Sequence, residues 1–287
     1  MAYNNALYSY NDILNNSSYF YMYDDQSRFS AGVQTMQGKL NNAGFWCDTA
    51  DGIFGLKTDE AVRHFQRAYS LVVDGMAGRN TLSVLDYVSS TSPGFNRMGG
   101  NYGVYFDSFN KRFMHNQQTV YSALKATGLN KVAIAGFMGN LEAENHFRTA
   151  LAGTGGAVGL AQWEGSRKTN LYNYANVNSR DVTDIIVQAW FIIEECSAGS
   201  PYKDSDGVSC WEQLNFATSV SQAADCVTAF YERCFFATSW NGIVNSGYET
   251  NRFDTSKPNA YFSNRHYLDA PQRRGYAENY YACLQQM

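Results

Sequence analysis

At 287 residues the chain has room for two domains or one large one. A net charge of −4 with only 17% charged residues supplies no basic surface for a phosphate backbone, so nucleic acid is excluded as the expected partner. No run approaches the ~20 apolar residues of a membrane-crossing helix, so no membrane insertion is expected. The opening MAYNNALYSYNDILNNSS has neither the basic start nor the apolar stretch of a secretory signal.

Aromatic residues make up 15% of the chain, and Tyr and Trp offer a flat apolar face with a polar tip, suited to core packing and to stacking on ring-shaped ligands. Cys47, Cys196, Cys210, Cys226, Cys234 and Cys283 form no CxxC pair and no zinc-like spacing, and the histidines are scattered singly. No metal and no cofactor is expected. The thiols read as buried and reduced, a disulfide between helices being the alternative.

Residues 1–28 form an extension rich in Tyr, Asn and Ser, with the aromatic run YFYMY at 19–23. Such a run reads as a strand docked on a domain or as an arm for a partner; docking is the expectation, because a free aromatic edge would be sticky. Residues 29–88 read as a compact helical module. Val33, Met36, Gln37 and Leu40 fit an amphipathic helix with Gly44 near its end. DGIFGLKTDEAV and DGMAGRNTLSVL are two copies of one loop-helix unit, with Thr58 the candidate N-cap in the first. Residues 89–110, rich in Ser, Thr, Pro and Gly at their start, read as a linker whose aromatic second half packs on a domain.

Residues 111–287 form the second domain and are mostly helical. Helices are expected over 117–126, 131–144 (the core helix), 169–177, 182–196, 211–216, 220–235 and 272–285, with 239–267 irregular. IIVQAWFIIEEC at 185–196 is apolar almost all round and is expected to be central. Within this domain, GNLEAENHFRTALAGTGGAVGLAQWEGSR at 139–167 is the stretch with chemistry in it. An apolar helix ends in Glu142, Glu144, Asn145 and His146; a Gly-rich segment suits a turn or hairpin; and Gln162, Trp163 and Glu164 follow. Glu142 and Glu144 lie about 200° apart on a helix. Phe137 and Leu141 place Glu144 on the buried stripe, so Glu142 is expected to be solvated. Apolar neighbours at Glu144 would let it hold a proton near neutral pH, as a general acid requires.

Two resemblances follow from these motifs. GNLEAENHF followed by GLAQW and a nearby Arg resembles the phage tail lysozyme family and, more distantly, the goose-type lysozyme and lytic transglycosylase group. The resemblance runs from about residue 116 to the C-terminus and includes RRGYA at 273–277. It implies Glu144 as the catalytic acid and a Gly-Leu-X-Gln strand lining a sugar cleft. Asn145 stands where those families usually have Ser. The module at 29–88 resembles the peptidoglycan-binding domain type 1 family through DGIFG, Thr58, AV..FQ and VDG..G..TL, a match covering nearly all of it.

The implied fold is mostly α: a three-helix peptidoglycan-binding module, then a lysozyme-like α+β domain with a small β-hairpin. The implied activity is cleavage of the β-1,4 bond after N-acetylmuramic acid in peptidoglycan, by an enzyme of the phage endolysin kind. Such an enzyme, made in a host cytoplasm, would reach the wall on lysis or aboard a phage particle. Glu164 is the candidate second carboxylate, or a surface residue at a hairpin end. Gln162 would orient an N-acetyl group or a water, or fix the hairpin to the helix. Trp163 would stack on a sugar or fill the core. Arg167 would pair with Glu142 or Glu164, or meet a peptide-stem carboxylate. A lytic transglycosylase, an N-acetylglucosaminidase, and a non-catalytic wall-binding or virion protein are the alternatives. Nothing in the sequence decides the oligomeric state.

Overall fold

A computed structural model describes residues 5–22, 28–91, 94–150, 156–197, 209–232 and 270–287. It is mostly helical, with short antiparallel strands. The chain divides into two compact units: one formed by Met1–Asn96, Tyr105–Asn116 and Arg148–Leu151, the other by Arg97–Val104, Gln117–Phe147 and Ala152–Met287.

In the first unit the N-terminal extension is part of the packed body. Helix α1 (Tyr10–Asn15) starts at a capping box between Ser9 and Asp12. Strand β1 (Tyr19–Phe20) pairs antiparallel with β2 (Ala77–Gly78), and Tyr10, Ile13 and Phe20 join the core. Helices α2 (Ala31–Ala43), α3 (Leu56–Ala68) and α4 (Arg79–Thr91) supply most of the rest. Gly44 ends α2 at φ 91°, where a left-handed backbone favours glycine.

The internal repeat has a physical basis in two glutamines. Gln37 Nε2 donates to Asp51 Oδ1, Ile53 O and Thr58 Oγ1, while its Oε1 accepts from Gly52 N at 2.8 Å. Gln66 repeats the arrangement one copy later, donating to Asp74 Oδ1, Met76 O and Thr81 Oγ1 and accepting from Gly75 N at 3.0 Å. Each amide therefore reads the Asp-Gly loop and the helix after it. The expectation that Thr58 caps α3 is corrected: Gly55 is the N-cap and makes no side-chain bond. Thr58 lies inside the first turn, buried, and bonds to Gln37 and to Ile53 O.

The segment 89–110 is more ordered than a linker. Helix α4 runs to Thr91, and β3 (Asn96–Met98), β4 (Val104–Asp107) and β5 (Arg112–Phe113) follow, in the sheet order β3-β4-β5. Val104 and Phe106 are buried with Tyr105 less so, the alternation a strand produces. Phe106 sits across from Phe113, rings 5.3 Å apart, and Asp107 closes the turn by accepting from Phe109 N and Asn110 N.

Among the described residues the helices of the second unit are α5 (His115–Ala126, from Gln117 onward), α6 (Lys131–Asn145), α7 (Gly165–Val177), α8 (Ile185–Ser197), α9 (Cys210–Asn215), α10 (Val220–Cys226) and α11 (Ala270–Leu284), with a π-turn at Val227–Tyr231. Helix α6 is the core helix, as expected, while α8 is less enclosed than its composition suggests. From Ala133 to Glu142 every residue of α6 is buried, and α10 and α11 pack on it. Helix α8 keeps an exposed edge at Ile186 and Trp190. The reason lies in two glycines. A Cβ at Gly136 would come within 2.5 Å of the Ala223 carbonyl carbon, and one at Gly139 within 2.5 Å of Ala277 N. Backbones meet there without side chains between them. The five described cysteines are free and buried. Cys234, the end of the helix expected to 235, the irregular stretch at 239–267 and the glycines at 153–155 lie outside the described residues.

Two predictions follow from packing. Gly139→Ala should destabilise the protein by about 1–3 kcal/mol, because Ala277 backbone must move, whereas Gly38→Ala, in α2 with nothing within 4 Å of its Cβ, should gain about 0.5–1 kcal/mol. Thermal unfolding checks the opposite signs. Gln37→Leu should cost about 1–3 kcal/mol by leaving Gly52 N–H buried without its acceptor; an unchanged urea midpoint would refute that role.

Candidate active site

The site is built at the C-terminal end of α6. Asn130 caps the helix start by accepting from Ala133 N. The helix ends at His146 with φ 58°, and Phe147 repeats that value. Two successive non-glycine residues in the left-handed region reverse the chain sharply, a costly conformation found where surroundings hold it in place.

Glu144 leaves the last turn of α6 and meets Arg273 of α11, with Nη2 to Oε1 at 2.5 Å. The Arg273 side chain is 7% exposed and that of Glu144 is 17% exposed, so the carboxylate is reachable while its partner is not. Arg273 is oriented from behind: its Nη1 donates to Asn140 Oδ1 at 3.0 Å, one helical turn before Glu144. Asn140 is itself fixed, donating to Gly136 O and Ala224 O and accepting from Thr228 Oγ1 at 2.8 Å. Glu144 thus has a buried cationic partner, in place of the purely apolar setting expected for it.

Glu142 is corrected. It is buried, not solvated, because α11 covers that face of α6: Tyr280 Oη donates to Oε2 at 2.5 Å, and His146 Nδ1 lies 2.8 Å from Oε1. Asn145, in the place of the usual Ser, donates to Gly159 O at 2.6 Å and so ties α6 to the Gly-Leu-Ala-Gln segment. That segment is a tight turn with one β-bridge, Val158 to Trp163, rather than a strand. Gln162 sits at φ 46° and its Nε2 donates to Gly159 O. The amide reinforces its own turn, while Asn145 makes the link to the helix.

Trp163 is fully buried, packed on Phe191, and has no face left for a sugar. Its indole N–H donates to Glu195 Oε2 at 2.7 Å. Arg167 pairs with neither Glu142 nor Glu164. It forks onto Glu195 through Nε and Nη2, at 3.0 and 2.9 Å, and lies over the Tyr231 ring. Tyr231 Oη also donates to Glu195 Oε2, and burial pushes that phenol well above its usual range. Trp163 and Arg167 are therefore both held by Glu195. Glu164 is exposed at the start of α7 and gives it no side-chain cap.

Sequence reasoning missed Asn140, Glu195 and Glu232. Glu195 carried a signal, since a carboxylate in an otherwise apolar helix needs a partner and Arg167 was available. Glu232 follows the π-turn. The residue keeps some exposure, but its Oε1 is buried with no hydrogen-bond partner. Burial, then the negative charge of Glu144, holds its carboxyl well above the ordinary range. Among the described residues no cluster of His, Cys, Asp and Glu is arranged to hold a metal ion.

Comparison with known proteins agrees with this architecture. Residues 30–85 match the peptidoglycan binding domain family. The chain is 42% identical over 62 residues to the N-acetylmuramoyl-L-alanine amidase CwlM of Mycobacterium tuberculosis, covering 22% of this chain and 15% of that protein. It is also 42% identical over 53 residues to a spore cortex-lytic enzyme of Bacillus cereus, covering 18% of this chain and 20% of that enzyme. The chain thus spans a fifth or less of the length of these relatives. The phage tail lysozyme family matches over residues 115–284, more than half of the chain, which therefore belongs to that family.

Proposed function

We propose that this protein is a peptidoglycan hydrolase of the muramidase type, with Glu144 as its general acid. The second unit would cleave the β-1,4 bond after N-acetylmuramic acid. The module at 30–85 would hold the enzyme on the wall and raise its local substrate concentration. Family membership and the peptidoglycan-binding match support the substrate class, and the two relatives named above are, by name, an amidase and a cortex-lytic enzyme. In this reading the protein is a phage lysin, acting after release from a host or aboard a phage particle.

The observation that carries the proposal is the reachable Glu144 carboxyl, oriented by a buried Arg273. Glycoside cleavage needs a proton delivered to the leaving oxygen as the anomeric carbon gains positive charge. Glu144 would deliver it. Arg273 and Asn140 fix where the carboxyl sits, so the proton arrives without a search over rotamers. Gln162, whose Nε2 is held by Gly159 O, would orient an N-acetyl group or a water with its amide oxygen. Glu164 would take no part, and an inverting or substrate-assisted route follows if no other carboxylate reaches the sugar.

Clearing of purified cell walls tests this. Glu144→Gln should slow clearing by about 10²-fold or more, while Glu164→Gln should stay within about threefold of the unaltered protein, as for an exposed position. If the unaltered protein clears walls no faster than Glu144→Gln, the enzymatic reading fails and a wall-binding or virion structural role takes its place.

A further inference from the structure

The first unit carries a cavity of about 470 Å³ between the N-terminal extension and the second Asp-Gly loop. That volume lies in the range of small-ligand sites and has room for a short peptide or a disaccharide. One wall is residues 16–19 of the extension, which lies outside the matched peptidoglycan-binding segment at 30–85. The other wall comes from residues within 70–81, down to the start of α4. Both walls are fixed from within the unit. Tyr19 pairs with Gly78 in the β1–β2 ladder, and Gln66 of α3 holds Asp74 and Met76. A cavity formed in advance spares the cost of ordering a loop on binding.

The polar side chains around it are unengaged. Ser17 and Ser18 on the extension, and Arg79 and Asn80 on α4, make no side-chain hydrogen bond or ion pair among the described residues. The first repeat is different at the matching place. Lys57, the counterpart of Asn80, pairs with Asp48, and Asp48 also pairs with Arg148. The protein's own charges thus satisfy one another at that corner in the first copy and leave it open in the second.

The lining also has a charge pattern. Arg79 is its one cation and Asp74 its one anion. Asp74 Oδ1 accepts from Gln66 Nε2 and Met76 N, while Oδ2 takes no bond from the protein. Leu71, Val72 and Met76 supply apolar surface, with Val72 78% exposed. A glycan is gripped by aromatic faces and neutral hydrogen bonds, and Tyr19 is the one aromatic residue in the lining. A guanidinium and a carboxylate beside apolar surface suit a short peptide that carries both charges and small apolar side chains.

We propose that this cavity binds the peptide stem of peptidoglycan, with Arg79 taking a stem carboxylate, Asp74 the amine of the stem's diamino acid, and the N-terminal extension completing the site. This rests on the bacterial wall being the ligand of the module. A module that holds stems leaves the glycan strands uncovered for cleavage.

Calorimetry of the full-length protein tests it, with the synthetic stem pentapeptide in its lysine and diaminopimelate forms and the N-acetylglucosamine tetramer as comparison. Arg79 has no partner in the protein to lose, so Arg79→Gln should fold normally and weaken peptide binding about tenfold or more. Ser17→Trp fills the cavity from the extension's side, leaves both charges in place, and should weaken binding about as much. Leu56→Gln, at the counterpart of Arg79 in the first repeat and 54% exposed, should stay within about twofold of the original. Unchanged peptide affinity in Arg79→Gln, or binding by the tetramer in place of the peptide, overturns the proposal. Sedimentation with purified walls separates this from the wider reading. If walls carry the protein down and the peptide does not bind, the stem site falls and wall binding stands. If the peptide binds through Arg79 and intact walls do not carry the protein down, the stem site stands and the wall-anchoring role falls.

Discussion

One asparagine joins the three helices that make the site. Asn140 lies where α6 passes α10 and α11 at backbone distance, and its amide bonds to Gly136, Ala224, Thr228 and Arg273 at once. A buried amide with all its positions used gains only modestly over bonds to water, but leaving any of them unmade is costly, so it favours one arrangement of its partners. Through it Arg273 is aimed, and through Arg273 so is Glu144. Gly136 and Gly139 are the permission for this, since any side chain there would push the helices apart and take the guanidinium with them. A second set of buried bonds, centred on Glu195, holds the Trp163 turn and Arg167.

The first unit solves its own problem by the same device. Gln37 and Gln66 each bind a loop and the helix that follows it, so that two Asp-Gly turns with little apolar content are held by side-chain amides. The N-terminal extension adds a strand and three apolar side chains to this body. Its burial explains why an aromatic run can sit near a chain start without forming an exposed edge.

The helical elements were legible because their apolar periods and caps are local properties. The repeat was legible too, as a pattern, though its cause was not: nothing in DGIFG says that a glutamine fourteen residues earlier reads it. Thr58 misled for the same reason, since a threonine before an apolar run looks alike whether it caps a helix or bonds to Gln37. The site was legible at Glu144 through a motif, and opaque where partners come from far along the chain. Arg273 lies 129 residues from Glu144, and the covering of Glu142 by Tyr280 spans 138. Trp163 and Arg167 were each singled out, but it is Glu195, in a helix read as apolar almost all round, that turns them inward.

The central claim is that an oriented Glu144 breaks a glycosidic bond in peptidoglycan. Mass spectrometry of a borohydride-reduced wall digest tests it most directly, since it reads both activity and the bond cut. The account predicts glycan fragments ending in reduced N-acetylmuramic acid, absent when Glu144 is Gln. Anhydro-muramic ends would make the enzyme a lytic transglycosylase and reduced glucosamine ends a glucosaminidase, and either would contradict the bond assigned. A digest with no new glycan ends at all would contradict the catalytic role of Glu144 itself.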